Sequence, residues 1–253
     1  MNQGDDLACH RDFLKTDVRR RIDFSETAQN RGAETPPIEK PCPPRAKHID
    51  LPKPDRSLVG KVSLFDAIAA RRSRRAYAGK PLSLEELGFL AWATQGVRSK
   101  VAQGHVYRTV PSAGCRHAFE TYLLAINVEG LEPAIYRYLP LSHEIVLERK
   151  VKDLGRKIAE AASRQTFLAE ASVVFVWTAI PYRMEWRYGL AAHKAIAMDS
   201  GHVCQNLYLA CEAIGAGTCA IGAYEQADAD ALLGLDGDEE FVIYMAPVGK
   251  VEA

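Results

Sequence analysis

Apolar positions along this chain switch between helical and strand spacing, and the switches mark out its elements. Leu64, Phe65 and Ile68 follow Ser63, whose hydroxyl can cap a first turn, and predict a helix through about Arg72. Ser83-Leu-Glu-Glu86 has the form of a capping box and opens a second helix, with Leu84, Leu87, Leu90 and Ala91 on one face as far as Gly96. Thr121–Val128 reads as a strand, and Ala134–Tyr138 with Glu144–Leu147 reads as a hairpin turned by Pro140-Leu-Ser-His143. Val151–Ser163 is helical. Val173-Val-Phe-Val-Trp177 is continuously apolar, the pattern of a strand covered on both faces. A long helix is predicted over about Tyr188–Ile214, with Ile196, Val203, Leu207, Ala210 and Ile214 as its apolar stripe and Gly215 as its stop. It would run roughly 40 Å at ~1.5 Å per residue. A short strand near Thr218–Ile221, a helix near Gln226–Leu233 and a last strand, Phe241–Val248, complete the pattern. Helices and strands mixed in this order predict α+β layers rather than a regular βαβ array.

The first sixty residues differ. They are polar, without regular apolar spacing, and seven of the chain's 13 prolines fall between Pro36 and Pro54. Proline fixes φ and removes a donor, so residues 1–60 read as an extended N-terminal arm, disordered or laid over a surface. The compact domain is residues 61–253, its first element near Ser63. Lys+Arg and Asp+Glu balance at 32 each, so no global field draws the chain to nucleic acid or to an anionic membrane. No apolar run approaches the ~18 residues that span a bilayer, and the N-terminus lacks the apolar core of a signal peptide. Six cysteines, at 9, 42, 115, 204, 211 and 219, form no Cys-x-x-Cys pair and are too few for a disulfide scaffold. The expectation is a soluble cytoplasmic protein with reduced thiols.

Several candidate sites fail on context. Gly215-Ala-Gly217-Thr-Cys-Ala220 matches a dinucleotide fingerprint, but a helix precedes it and a strand follows, the reverse of what that fingerprint needs. The seven histidines show no metal-ligand spacing, so no metal is expected. No Gly-x-Ser-x-Gly elbow exists. Cys115 beside Arg116 and His117 reads as a bystander thiol.

Two segments do carry chemistry together. Arg71-Arg-Ser-Arg-Arg75 sets four arginines around one serine at a helix exit. Such a cluster can grip a phosphate through charge-assisted hydrogen bonds, or merely complement the helix C-terminus. Pro111-Ser-Ala-Gly114 is a small-residue turn that lets backbone come close to a flat ligand. Paired, they suggest a cofactor with a phosphate at one end and a polar heterocycle at the other. Flavin mononucleotide (FMN) has that shape.

Those motifs, followed in order by Asp199-Ser-Gly-His-Val-Cys-Gln-Asn-Leu207, Ala213-Ile-Gly-Ala-Gly217 and Ile221-Gly-Ala223, resemble the nitroreductase-like flavoproteins. The branch it resembles is the SagB-type dehydrogenases, which include azoline oxidases of peptide natural-product pathways. Asp12-Phe-Leu-Lys15 and the proline-rich stretch before Ile49-Asp-Leu-Pro52 are similar to that branch too. The resemblance implies an α+β fold with a central, mostly antiparallel sheet flanked by helices, and a homodimer with two interfacial FMN sites. It implies that Arg71, Arg72, Ser73 and Arg75 hold the phosphate and nearby polar groups. Pro111, Ser112, Ala113 and Gly114 would line the isoalloxazine, and the backbone at Gly222 would lie near its N5 edge. Gln205 and Asn206 would sit near the cofactor or the dimer interface, or be plain helix-surface polarity. The dimer is expected to bury the apolar side of the long helix and to use the arm as a clasp.

Two departures accompany the resemblance. Azoline-forming members carry a Lys-Tyr pair before the long helix, where this chain has Arg187-Tyr188. Arginine stays protonated and cannot be a general base, whereas Tyr188 can donate a proton; Trp186-Arg187-Tyr188 also reads as an interface anchor. Members also continue past the last strand with a basic contact to the phosphate; here either Lys250 supplies that charge or the site lacks it. Three readings follow: an NAD(P)H-linked FMN oxidoreductase acting on a small molecule, a peptide-tailoring azoline dehydrogenase, and a flavin-binding partner subunit without turnover.

Overall fold

The computed structural model describes residues 3–60, 62–101 and 105–252. Lys61, where the compact domain was expected to begin, lies outside them. In chain order the elements are α1 (Gln3–Phe13), β1 (His48–Asp50), α2 (Leu64–Ala70), α3 (Leu84–Gln95), β2 (Val97–Val101), β3 (His105–Arg108), β4 (Phe119–Ala125), β5 (Ala134–Leu139), β6 (Glu144–Arg149), α4 (Leu154–Ala161), β7 (Val173–Ala179), α5 (Tyr182–Tyr188), α6 (Ala192–Ala213), β8 (Ala216–Thr218), α7 (Gln226–Leu233) and β9 (Phe241–Lys250). Among the described residues, one seven-stranded sheet has the order β1-β6-β5-β4-β7-β9-β8, with its named strands paired antiparallel throughout. The small β2–β3 hairpin stands apart.

Side chains alternate across the sheet, and both faces are covered. Leu123, paired with Phe175, packs into one core with Leu87 and Leu90 of α3 and Val203 and Leu207 of α6. Tyr122, Leu124, Val174 and Val176 enter the other core with Ile158 of α4 and Leu233 of α7. An antiparallel sheet often keeps one wet face, where strands alternate apolar and polar. Helices on both faces remove that option here, which is why β7 reads as an unbroken apolar run.

The capping box forms as the sequence predicts: Ser83 Oγ accepts from Glu86 N, and the Glu86 carboxylate accepts from Ser83 N. Three expectations change. The helix after Ser63 ends at Ala70, not Arg72, because the chain beyond it bonds to the sheet: Arg74 N donates to Thr218 O and Ala78 N to Lys250 O. The long helix starts four residues later than expected, at Ala192, because Gly189 at φ +51° ends a separate short helix, α5, and a single 3-10 turn precedes α6. The stripe on α6 is buried in the chain's own core, so it is not the face that a second copy would cover. The apolar face left outside belongs to α2, where Leu64, Phe65 and Ile68 are 68%, 80% and 57% exposed.

The arm is held down by buried charge. Arg137, fully buried, donates to the carbonyls of Lys40 and Pro41, and Arg108 donates to Ile38 O. Lys40 N donates to Glu120 Oε1, which also accepts from Arg183 Nη2 at 2.5 Å. Burial alone would raise the Glu120 pKa, but Arg183 and Arg137 hold it below the usual carboxylate range. Further along, β1 adds an edge strand to the sheet beside β6, and Leu51 is buried in the core.

Candidate functional site

The arginine segment runs extended along β8. An isolated parallel bridge joins Ser73 to Thr218, and the Arg74 backbone bond to Thr218 O fixes the direction of each side chain. Arg74 turns inward, with its Nη2 3.4 Å from Glu212 Oε2. That inward path needs Gly217, where a Cβ would lie 2.6 Å from Arg74 Cδ. Arg72, Ser73 and Arg75 face outward and are exposed. The Arg71 guanidinium stacks over the Tyr208 ring at 5.2 Å, and Arg75 over Phe167 at 5.9 Å. None of Arg71, Arg72 and Arg75 forms an ion pair with a described residue. The segment from Arg72 to Tyr77 lines an open depression of about 510 Å3, with Glu252 at its border.

Tyr208, on α6, organises this half of the site. Its phenol oxygen accepts from Ala220 N at 2.8 Å and lies 2.9 Å from Ser73 Oγ. Either hydroxyl can donate in the contact between Tyr208 and Ser73, because the phenol oxygen keeps a second lone pair beside the amide bond. The same contact pins Ala220, two residues before exposed Gly222. Ile221 between them makes an antiparallel bridge with Met245.

The turn at Pro111–Gly114 forms the second half. Ala113 N donates to Asp199 Oδ2 at 3.1 Å, and His117 N donates to Ser112 Oγ at 3.0 Å. Burial pushes the Asp199 carboxyl up, against hydrogen bonds from Ser112 and Ala113. Gly114 has φ +57°, and a Cβ there would fall 2.4 Å from Tyr188 Oη and 3.2 Å from Arg187 Cδ. The Tyr188 hydroxyl is therefore seated directly on Gly114, with Arg187 beside it. Burial, with Arg108 nearby, lowers the pKa of His117 to about 3, so this histidine is neutral near pH 7 and its Nε2 meets the Val106 carbonyl at 3.2 Å.

The structure thus brings Pro111–Gly114 together with Arg187 and Tyr188, and Arg71 and Ser73 together with Tyr208 and the strand leading to Gly222. It does not bring the two halves together. Asp199 and Tyr208 are nine residues apart on α6, which is two and a half turns. They point to opposite faces of the helix and are roughly 14 Å apart along its axis.

Other expected residues have different roles. Lys250 Nζ contacts Glu86 Oε1 at 2.5 Å and donates to Ile214 O at 2.8 Å, so its charge is engaged inside the fold instead of facing a phosphate. Asn206 donates to the carbonyls of Ala93 and Thr109, tying α3 to α6, while Gln205 is exposed. Trp186 is an anchor within the chain: its indole donates to Ala33 O of the arm and carries the Arg116 guanidinium at 4.8 Å. Tyr208 and Asp199, which hold the two halves in place through Ser73, Ala220 and Ala113, are the candidate site residues that sequence reasoning did not single out. Asp199 did open one of the motifs that carry the resemblance, whereas Tyr208 showed only as a polar side chain beside the apolar stripe of a long helix.

The nitroreductase family profile matches residues 68–250. A candidate nitroreductase of Methanocaldococcus jannaschii is 33% identical over 204 residues, covering 80% of this chain and 96% of that protein. The crystal structure of a candidate nitroreductase from Anabaena variabilis superposes with a TM-score of 0.69 at 26% identity over 83% of this chain. This chain spans only 42% of that one. A microcin synthetase complex of Escherichia coli with truncated pro-MccB17 bound matches at a TM-score of 0.61 and 19% identity, over 76% of this chain and 74% of that one, which shows a shared fold alone. On the profile match and the archaeal relative, this chain belongs to the nitroreductase family of oxidoreductases.

Proposed function

We propose that this chain is an FMN-dependent oxidoreductase that works as a homodimer and takes its electrons from NAD(P)H. The observation that carries the reading is the pair of half-sites on opposite faces of α6. In one copy the two halves face away from each other across α6, so each cofactor is placed between one half of one copy and the complementary half of a second. The exposed apolar face of α2 supplies a surface for that contact.

The residues present fit the cofactor. Among the described residues Arg72 and Arg75 are exposed cations without a carboxylate partner, and the exposed Ser73 hydroxyl lies between them in sequence, a set that suits a terminal phosphate. Gly114 keeps the turn open where any side chain would strike Tyr188. Lys250 is left out of the phosphate site. The flavin, when bound, supplies the two-electron chemistry, and the protein binds, orients and tunes it. Arg71, Arg72, Ser73 and Arg75 hold the phosphate end, and Tyr208 orients both Ser73 and the strand to Gly222. Tyr188 is held by Gly114 with its O–H at the reacting end, where it can donate a proton. The Arg187 guanidinium beside it can stabilise negative charge.

A second reading is a SagB-type dehydrogenase acting on a peptide. The motifs in the order that resembles the SagB-type branch favour it. Arg187, where a base would be needed, weighs against it. Reconstitution decides between the readings. Full-length protein should retain FMN, identified by mass after release, and scatter light as a dimer. The bound flavin should bleach anaerobically with NADH or NADPH. FAD in place of FMN, or a monomer that holds FMN tightly, would overturn the proposal. Bleaching by a peptide substrate but not by either nicotinamide would favour the tailoring reading, and no bleaching at all a partner subunit.

A further inference from the structure

The arm and the α5–α6 corner enclose a cavity of about 340 Å3 next to Ala113 and Tyr188. Its apolar lining is half-buried Tyr188, Ala191 and Ala195 with exposed Met198. Two cations, Arg19 from the arm and Lys194 from α6, border it, and no aspartate or glutamate lines it. Lys194 Nζ donates to Leu14 O, which holds the arm over the cavity and leaves two of its three protons for a ligand. The exposed Arg19 guanidinium lies over the Phe24 ring at 4.8 Å, a contact that does not use its N–H donors. Asp17, the carboxylate on the same turn, pairs with Arg20 at 3.6 Å, so it does not neutralise Arg19.

We propose that this cavity is the substrate pocket and that it selects a small aromatic carboxylate. The inference rests on the reading of Tyr188 as a proton donor at the reacting end, and it adds the substrate class. The volume is at the lower end of the ~300–1,000 Å3 range of ligand pockets, which suits one or two rings. The apolar wall takes the ring. The Arg19 fork, with the Lys194 ammonium beside it, takes a planar carboxylate at the mouth. The wall and Lys194 come from the catalytic domain and Arg19 from the arm, so the arm completes the pocket.

Calorimetric titration of the full-length protein with benzoate, benzyl alcohol and inorganic phosphate tests this. Benzoate should bind at least ~10-fold more tightly than benzyl alcohol at low salt, and the preference should shrink as salt rises. Arg19→Gln and Lys194→Gln should each weaken benzoate about 3- to 10-fold and leave benzyl alcohol within about 2-fold. Circular dichroism verifies that both variants are folded. No binding of benzoate, equal affinity for benzoate and the alcohol, phosphate competing as well as benzoate, or a preference that survives in the double variant would each overturn the assignment. Flavin content is read separately by absorbance. Protein that holds FMN without preferring benzoate sinks this inference alone, and protein that prefers benzoate but never takes up FMN sinks the cofactor reading instead.

Discussion

Gly114→Ala tests whether the Tyr188 hydroxyl is seated on the turn as described. Two costs arise. The residue has φ +57°, and placing an L side chain in that region costs about 1–2 kcal/mol. The new methyl would also lie 2.4 Å from Tyr188 Oη, so the phenol must move. Overpacking of that kind costs about 1–3 kcal/mol, which brings the total to about 2–5 kcal/mol. Arg187 Cδ at 3.2 Å is flexible and contributes little. In a Tyr188→Phe background the clashing oxygen is gone and the ring edge stands one C–O bond further back, so only the backbone cost should remain. Urea unfolding of the four proteins gives the coupling directly, expected at about 1–3 kcal/mol. Anaerobic half-reactions with NADPH on the same variants show whether moving the phenol also slows chemistry. A Gly114→Ala cost that is the same in both backgrounds would refute the contact, and with it the placement of Tyr188 at the reacting end.

Glu120→Gln should destabilise the fold by about 3–5 kcal/mol in urea, because it leaves Arg137 and Arg183 buried with a lost countercharge. Limited proteolysis should then cut the arm near Lys40, whose backbone N–H bonds to that carboxylate. His117 gives an acid signature: its folded pKa of about 3 lies below the ordinary 6.5, so the unfolded chain binds the proton more tightly. Stability is full above about pH 6.5 and falls by up to ~1.4 kcal/mol per pH unit towards pH 3, and unfolding curves of His117→Gln should lack that contribution. Arg71→Ala and Arg75→Ala should each weaken FMN about 10- to 150-fold, while Arg74→Ala should chiefly cost stability, about 1–3 kcal/mol, by stranding Glu212. Fluorescence titration of apo-protein checks the order, and equal losses at all three positions would mean a diffuse basic patch.

Elements whose own periodicity specifies them were legible. The Ser83 capping box, the β5–β6 hairpin, the buried β7 and the α7 helix all stand where local pattern predicts. Elements that exist only through a partner were not. His48-Ile49-Asp50 has one apolar residue and becomes a strand because β6 offers an open edge. The β2–β3 hairpin had no alternation to announce it. The residues after Ala70 leave the helix because β8 and β9 offer them backbone partners more than a hundred residues away.

The same division runs through the site. The arginine cluster and the small-residue turn were visible as composition, because charge density and side-chain size are local properties. Which arginine faces outward was set by a ladder to Thr218, and Lys250 lost its expected role to Glu86, 164 residues distant. The arithmetic that puts Asp199 and Tyr208 on opposite faces of α6 needs only their numbers. It gains meaning once Asp199 is seen to hold Ala113 and Tyr208 to hold Ser73. Those two hydrogen bonds turn one long helix into a divider between half-sites. They are also why the proposed flavin site is drawn between two copies of the chain rather than within one.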